Sequence, residues 1–209
     1  MNKMNEKIKD KKEFKVIDKL SPSKINSYFK CPKEFYYNYI EKIKVSPNIY
    51  LIKGIIVHRV LEDFYRGYKP NPKKVLSELF KNVWDKNKPL IKMLEIDKVE
   101  LKKHKKDALT MIMAFYEVHK RKIDGILIQG KAENEQHAFY LTKPKFREMY
   151  VKDEKLKTVG FIDRIHEDYN GIITLGDYKT SSKYGIGLSE DYKRQLSIYA
   201  LLYHSQTGN

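Results

Sequence analysis

Thiol chemistry is almost absent from the 209-residue sequence, whose single cysteine is Cys31. That excludes an internal disulfide framework and any all-cysteine metal site made by one chain. No stretch of about 18 uninterrupted apolar residues occurs, so no transmembrane helix is expected. The opening MNKMNEKIKDKKEFK is charged and has no apolar h-region, so it does not read as a secretory signal. A cytoplasmic location is the expectation that follows. A G-x-x-x-x-G-K-[ST] phosphate loop is also missing, so any ATP-driven step would have to come from a partner. Internal repeats and low-complexity tracts are lacking too.

Acid is the other scarcity. Lys and Arg number 42 against 27 Asp and Glu, a net charge of +15. Thermophilic sequences favour Lys and Glu together, but here the lysines are not matched by acid. Such a surplus attracts a polyanion through phosphate neutralisation and counterion release, which points to nucleic acid. Sixteen tyrosines and nine phenylalanines offer stacking surfaces for single strands, although a core of this size claims most of them. The length fits one compact domain with a full hydrophobic core.

Residues 1–19 are charged and aperiodic and read as a flexible basic arm. Ser21-Pro22 is an N-cap followed by a first-turn proline, and Pro32 restarts a helix with Cys31 at the joint. Val57, Val60, Leu61 and Phe64 recur at helical spacing, and further helices are expected at about 73–85 and 97–122. From Asp124-Gly125 onward the pattern reads as strands: 126–142, EMYVKD, LKTVGFIDRIH and GIITLGDYKT. A last helix, about 190–204, carries Leu196, Tyr199, Ala200 and Tyr203. Helices, then a mainly antiparallel run of strands, then a helix make an α/β architecture: a helical region over 20–123 ahead of a core over 124–209.

The segment 157–180 carries the chemistry. Its turn contains Asn170-Gly171, and the loop length sets which faces meet. A two-residue loop puts Asp163 and Asp177 on opposite faces. A three-residue loop with Gly171 left-handed places Asp163 directly across from Asp177, with Lys179 two residues on along the same face. The second register assembles a site: cross-strand carboxylates with Cβ atoms about 5 Å apart repel unless a cation lies between them. A hard divalent ion, magnesium or manganese, fits oxygen ligands and suits phosphodiester hydrolysis. Surface ion pairing is the competing reading, opposed by the apolar runs in which both acids sit.

Gly160-Phe161-Ile162-Asp163-Arg164-Ile165, Gly176-Asp177-Tyr178-Lys179-Thr180 and Gln195-Leu196-Ser197-Ile198-Tyr199 resemble successive motifs of the PD-(D/E)xK nucleases, and the RecB-like branch in particular. That branch includes the CRISPR-associated RecB-family exonucleases and the nuclease domains of recombination helicase-nucleases. The segment Gly54–Glu62 resembles its helical motif with a metal-binding histidine. Ser21–Tyr28, with Cys31-Pro32 and Phe35-Tyr36-Tyr37, resembles its opening. The resemblance implies a restriction-endonuclease-like central mixed β-sheet flanked by helices. It also implies His58, Asp163, Asp177 and the Tyr178 carbonyl as metal ligands and Lys179, with both aspartates, as the catalytic group. Gln195, Tyr199 and Arg164 would contact DNA. Many relatives hold an iron–sulfur cluster through four cysteines; with Cys31 alone, no such cluster is expected. Relatives usually continue past the Gln-x-x-x-Tyr helix, so the chain reads as either minimal or shortened.

His104, His119, His137, His166 and His204 show no partner pattern and read as surface or structural. Glu62 reads as a solvated helix residue, and Glu133, on an expected strand with Glu135, is a possible further ligand. The expected function is a metal-dependent DNA nuclease, exonucleolytic on single strands or ends, in repair, recombination or CRISPR-type processing. The alternative is a non-catalytic nucleic-acid-binding subunit of a larger DNA-processing complex, and a protein partner is compatible with both.

Overall fold

A computed structural model describes residues 17–44, 46–168, 170–180 and 189–208. The expected basic arm lies, up to residue 16, outside them. Helix α1 (Pro22–Lys30) starts where the sequence places it: Ser21 is extended and its side chain accepts from the Lys24 N–H. Cys31 ends α1 and caps α2 (Pro32–Phe35), its sulfur accepting from the Glu34 N–H at 3.4 Å. A π-helical turn, Tyr36–Ile40, follows. None of these helices is apolar and long enough to cross a membrane, nor is any other among the described residues.

Helix α3 (Ile49–Phe64) is the axis of the helical half. Its Ile52, Ile56, Val57, Val60, Leu61 and Phe64 are buried along one broad face, while Tyr50, Leu51 and Ile55 are exposed on the other. Helices α4 (Pro72–Lys92) and α5 (Lys98–Ile128) close over it with Leu76, Phe80 and Trp84 from one, and Ala108, Ile112 and Tyr116 from the other.

The strand expected at 126–142 is not formed. Helix α5 runs through Asp124-Gly125 to Ile128, and α6 (Glu135–Thr142) occupies the rest. The reason is periodicity. Tyr116, His119 and Ile123 are buried and Ile126 and Leu127 pack against the same core, so the helical stripe outlasts the glycine. A single glycine costs a helix only about 1 kcal/mol. Asn134 then caps α6 by accepting from His137 N–H. Glu133 and Glu135 therefore lie in that connection and at the start of α6, not on a strand.

Among the described residues the sheet has three antiparallel strands in the order β1 (Phe146–Asp153), β2 (Thr158–Glu167) and β3 (Ile173–Gly176). A single parallel bridge joins Leu20 to Thr158, adding the entry to α1 at the sheet's end. Helix α7 (Glu190–Thr207) packs Tyr199, Leu202 and Tyr203 against Val151, Ile162 and Ile165. Leu202 takes the inward place that the sequence reading gave to Ala200, which is exposed. This second core is separate from the helical one, and the residues between them form the site described below.

His119 tests this packing. Its ring lies 5.0 Å from Tyr65 and 5.4 Å from Phe139, and its Nε2 is 2.9 Å from Thr142 Oγ1. Burial first, then nearby cations, push its pKa down to about 4. An unfolded histidine titrates near 6.5, so the unfolded chain takes up the proton first. His119 therefore contributes full stability above about pH 6.5, and that stability is lost as pH falls toward 4. Urea unfolding at pH 5 against pH 7 is expected to show a loss of about 2 kcal/mol from this residue. His119→Gln removes that part of the slope; an unchanged slope contradicts the burial account.

Candidate metal centre

The β2–β3 hairpin resolves the two registers left open by the sequence. Arg164 pairs with Gly176, Ile165 with Leu175 and Glu167 with Ile173. Asp168 N donates to Ile172 O at 3.1 Å, so the same count sets Asp163 level with Asp177. The loop is the three-residue one. Gly171 has φ 78°, a left-handed conformation that glycine adopts without a Cβ penalty. Asp168 Oδ1 ties the turn by accepting from the N–H groups of Asn170 and Ile172. Tyr169 lies outside the described residues.

Pairing stops at Gly176, and the next residues turn toward the helices. Tyr178 sends its ring into the helical core, and its N–H donates to Asp163 Oδ2 at 2.5 Å instead of to a ladder partner. Its carbonyl faces His58 Nε2 at 3.0 Å. That contact directs the other ring nitrogen of His58, on α3, toward the sheet. His58 Nδ1 lies 3.5 Å from Asp163 Oδ1 and 3.8 Å from Glu148 Oε1.

Glu148 is the residue that sequence reasoning missed. Arg147 pairs with Arg164 and Met149 with Ile162, so Glu148 is level with Asp163 although the pair itself is skipped in the ladder. Its φ is 47°, uncommon for a side chain of this kind. Three carboxylates thus form a row across the sheet: Glu148, Asp163, Asp177. Ligand atoms of His58, Glu148 and Asp163 all lie within 4.8 Å of one another. Pairing FREMYVKD with TVGFIDRI through the turn at 154–157 would have located Glu148 from the sequence. Glu133, the acid weighed in its place, has its N–H against His137 Nδ1. Glu62 holds Arg59 and Arg66 on the helix surface, in keeping with a solvated role.

A second group adjoins this one. Lys179 Nζ lies 2.6 Å from Asp177 Oδ2 and donates to Gln195 Oε1 at 2.7 Å. Gln195 Nε2 donates to Asp177 Oδ1 at 2.9 Å and lies 3.0 Å from the Tyr199 hydroxyl. Gln195 and Tyr199 are one turn apart on α7, so one helix face supplies both. Arg164 is not part of either group. Its side chain crosses Gly176, where a Cβ would meet Nε at 2.3 Å, and its guanidinium lies over the Tyr178 ring at 5.1 Å.

Electrostatics run from floor to lip. Asp163 and Asp177 side chains are 8% and 9% exposed, while those of His58, Glu148 and Lys179 are 30–38% exposed. Burial opposes a charged His58, but Asp163 and then Glu148 overcome it and push its pKa up to about 10. Burial, then the Asp163 charge, push the Asp177 carboxyl up against the pull of Lys179 and His58. A cation bound at Nδ1 would displace the His58 proton, and three carboxylates against one lysine would then leave two negative charges, the charge that a divalent cation balances.

A family model for the PD-(D/E)XK nuclease superfamily matches residues 19–209. The chain belongs to that superfamily. Neither a curated protein nor a solved structure matches the chain. Members of the PD-(D/E)XK superfamily are generally metal-dependent nucleases, and the α/β architecture with its antiparallel hairpin agrees with a restriction-endonuclease-like fold.

Gly160 holds this geometry from behind. A Cβ there would stand 2.9 Å from Tyr199 Cε1 and 3.6 Å from Leu202 Cδ1. Gly160→Ala is expected to push the Tyr199 ring away from Gln195 and to cost about 1–3 kcal/mol in urea unfolding. A neutral substitution would show that α7 is free to recede.

Proposed function

We propose that the chain is a metal-dependent deoxyribonuclease of the RecB-like branch, exonucleolytic on single strands or DNA ends, working in repair, recombination or CRISPR-type processing. The observation that carries the reading is the meeting of His58, from a helix ahead of the sheet, with Glu148 and Asp163, beside the Asp177–Lys179 pair. One imidazole nitrogen and two carboxylates within 4.8 Å are a donor set suited to magnesium or manganese, and the imidazole favours the latter. His58, Glu148 and Asp163 would hold the cation, with Asp177 beside them and the Tyr178 carbonyl fixing the His58 ring. Bound there, the cation supplies Lewis-acid polarisation of a phosphodiester.

The remaining work falls to the chain's own residues. Lys179, held between Asp177 and Gln195, takes a non-bridging phosphate oxygen or orients the attacking water. Gln195 keeps Lys179 and Asp177 in place through opposite ends of one amide, and with Tyr199 borders the path of the strand. The net charge of +15 draws in the polyanion. The exposed rings of Tyr28, Phe29, Tyr36 and Tyr37 support a single-stranded substrate, because unpaired bases have faces free to stack. A protein partner would provide any ATP-driven step, and no iron–sulfur cluster is assigned.

Purified protein is expected to degrade end-labelled DNA with manganese or magnesium and to stop in chelator. Lys179→Ala and Asp177→Ala should each lower the rate about 10²-fold or more. Glu148→Gln should raise the metal concentration for half-maximal rate about tenfold or more. Salt-sensitive DNA binding without metal-stimulated cleavage would instead make the chain a non-catalytic subunit. Cleavage untouched by either alanine variant would also overturn the reading.

A further inference from the structure

Behind Tyr178, away from the carboxylate row, lies a cavity of ≈ 190 Å³ with room for several waters. Four basic side chains line it, His119, Lys122, Arg164 and His166, with Phe115 and Val118 among its apolar walls, and among the described residues no acid does. Three buried nitrogens there have no hydrogen-bond partner among the described residues: His119 Nδ1, Arg164 Nε and His166 Nε2. The His119 residue as a whole is only 4% exposed. An unsatisfied buried polar atom costs about 1–3 kcal/mol, so three together call for an occupant.

The protonation of each group narrows the occupant. Thr142 Oγ1 donates to Ala138 O at 2.7 Å, so it accepts from His119 Nε2–H at 2.9 Å. That leaves His119 Nδ1 as a bare acceptor. One ring nitrogen of His166 donates to the Thr142 backbone, which leaves its Nε2 bare as well. Burial, then neighbouring cations, hold both histidines neutral, with pKa values pushed down to about 4. Burial and then Arg164 also draw the Lys122 ammonium below its ordinary value. The cavity thus offers two acceptors beside a guanidinium N–H and an ammonium.

We propose that this cavity binds a phosphate group with at least one ionisable oxygen, either inorganic phosphate or the terminal monoester of a nucleic-acid strand. Its anionic oxygens accept from Arg164 Nε–H and Lys122, and its P–OH donates to a bare imidazole nitrogen. A phosphate monoester has its second pKa near 6 and can carry that proton in the neutral range. A backbone diester and sulfate have no such proton to give. The Tyr178 ring lies between the two places: it is 5.1 Å from Phe115, which lines the cavity, and 5.7 Å from His58 of the carboxylate site. The proposal stands on the cavity and does not depend on the nuclease reading.

The test uses the full chain with ¹⁵N-labelled histidine at neutral pH, in chelator so that no strand is cut. Inorganic phosphate is one arm; a short strand with a 5′- or 3′-phosphate, against the same strand with hydroxyl ends, is the other. Saturable shifts of the His119 and His166 ring nitrogens are expected, and Lys122→Met should weaken the binding about tenfold. Shifts from the phosphorylated strand but not from the hydroxyl strand identify a terminal phosphate. Shifts from inorganic phosphate alone identify the free ion. Absence of saturable shifts with every probe, or binding that Lys122→Met leaves intact, overturns the proposal and leaves the cavity to water.

Discussion

The Asp163 carboxylate accepts the Tyr178 N–H with one oxygen and faces His58 with the other, and most of the site depends on that arrangement. Asp163 is only 7% exposed, and burying a carboxylate costs several kcal/mol unless it is paired. Its partners come from different places. Tyr178 leaves the end of the sheet and enters the helical core, while His58 comes from the helix at the centre of that core. One buried acid therefore ties the two hydrophobic cores together and sets the distance between them. The Tyr178 peptide serves both sides, giving its N–H to Asp163 and its carbonyl to His58.

Around that tie, charge is arranged by depth. The two deepest carboxylates, Asp163 and Asp177, face His58 and Lys179, and Gln195 bridges Asp177 and Lys179 with the two ends of its amide. Behind the same sheet strand, Arg164 turns the other way, to a chamber without acid. Asp163 and Arg164 are consecutive residues on β2, so strand alternation alone sends one to an acidic cluster and the other to a basic chamber.

Much of this was legible in the residues. Caps at Ser21 and Asn-Gly chemistry at the turn are local signals, and local signals set the start of α1 and the hairpin. The register was readable only as a choice between two loops, because both are sterically ordinary and both accept a left-handed glycine; the pairing of Asp168 with Ile172 decides it. The strand expected at 126–142 failed because a short apolar run flanked by glycine does not distinguish strand from buried helix. The helical period continuing from Tyr116 through Ile126 was the better signal. Glu148 escaped because nothing in FREMYVKD marks one acid among charged neighbours. Its meaning arises only once that strand is paired through the turn at 154–157, which sets Glu148 level with Asp163. The chamber around Arg164 was invisible for the same reason: His119 and His166 are 47 positions apart and meet only where the folded chain brings both to one cavity wall.

The central claim is that His58, Glu148 and Asp163 hold one divalent cation. A crystal structure determined with manganese, using anomalous scattering, tests it most directly. The account predicts a single strong peak within bonding distance of His58 Nδ1 and of one oxygen each from Glu148 and Asp163. A map in which His58 still points its Nδ1–H at Asp163 with no peak between them, or in which the ion sits elsewhere, would contradict it.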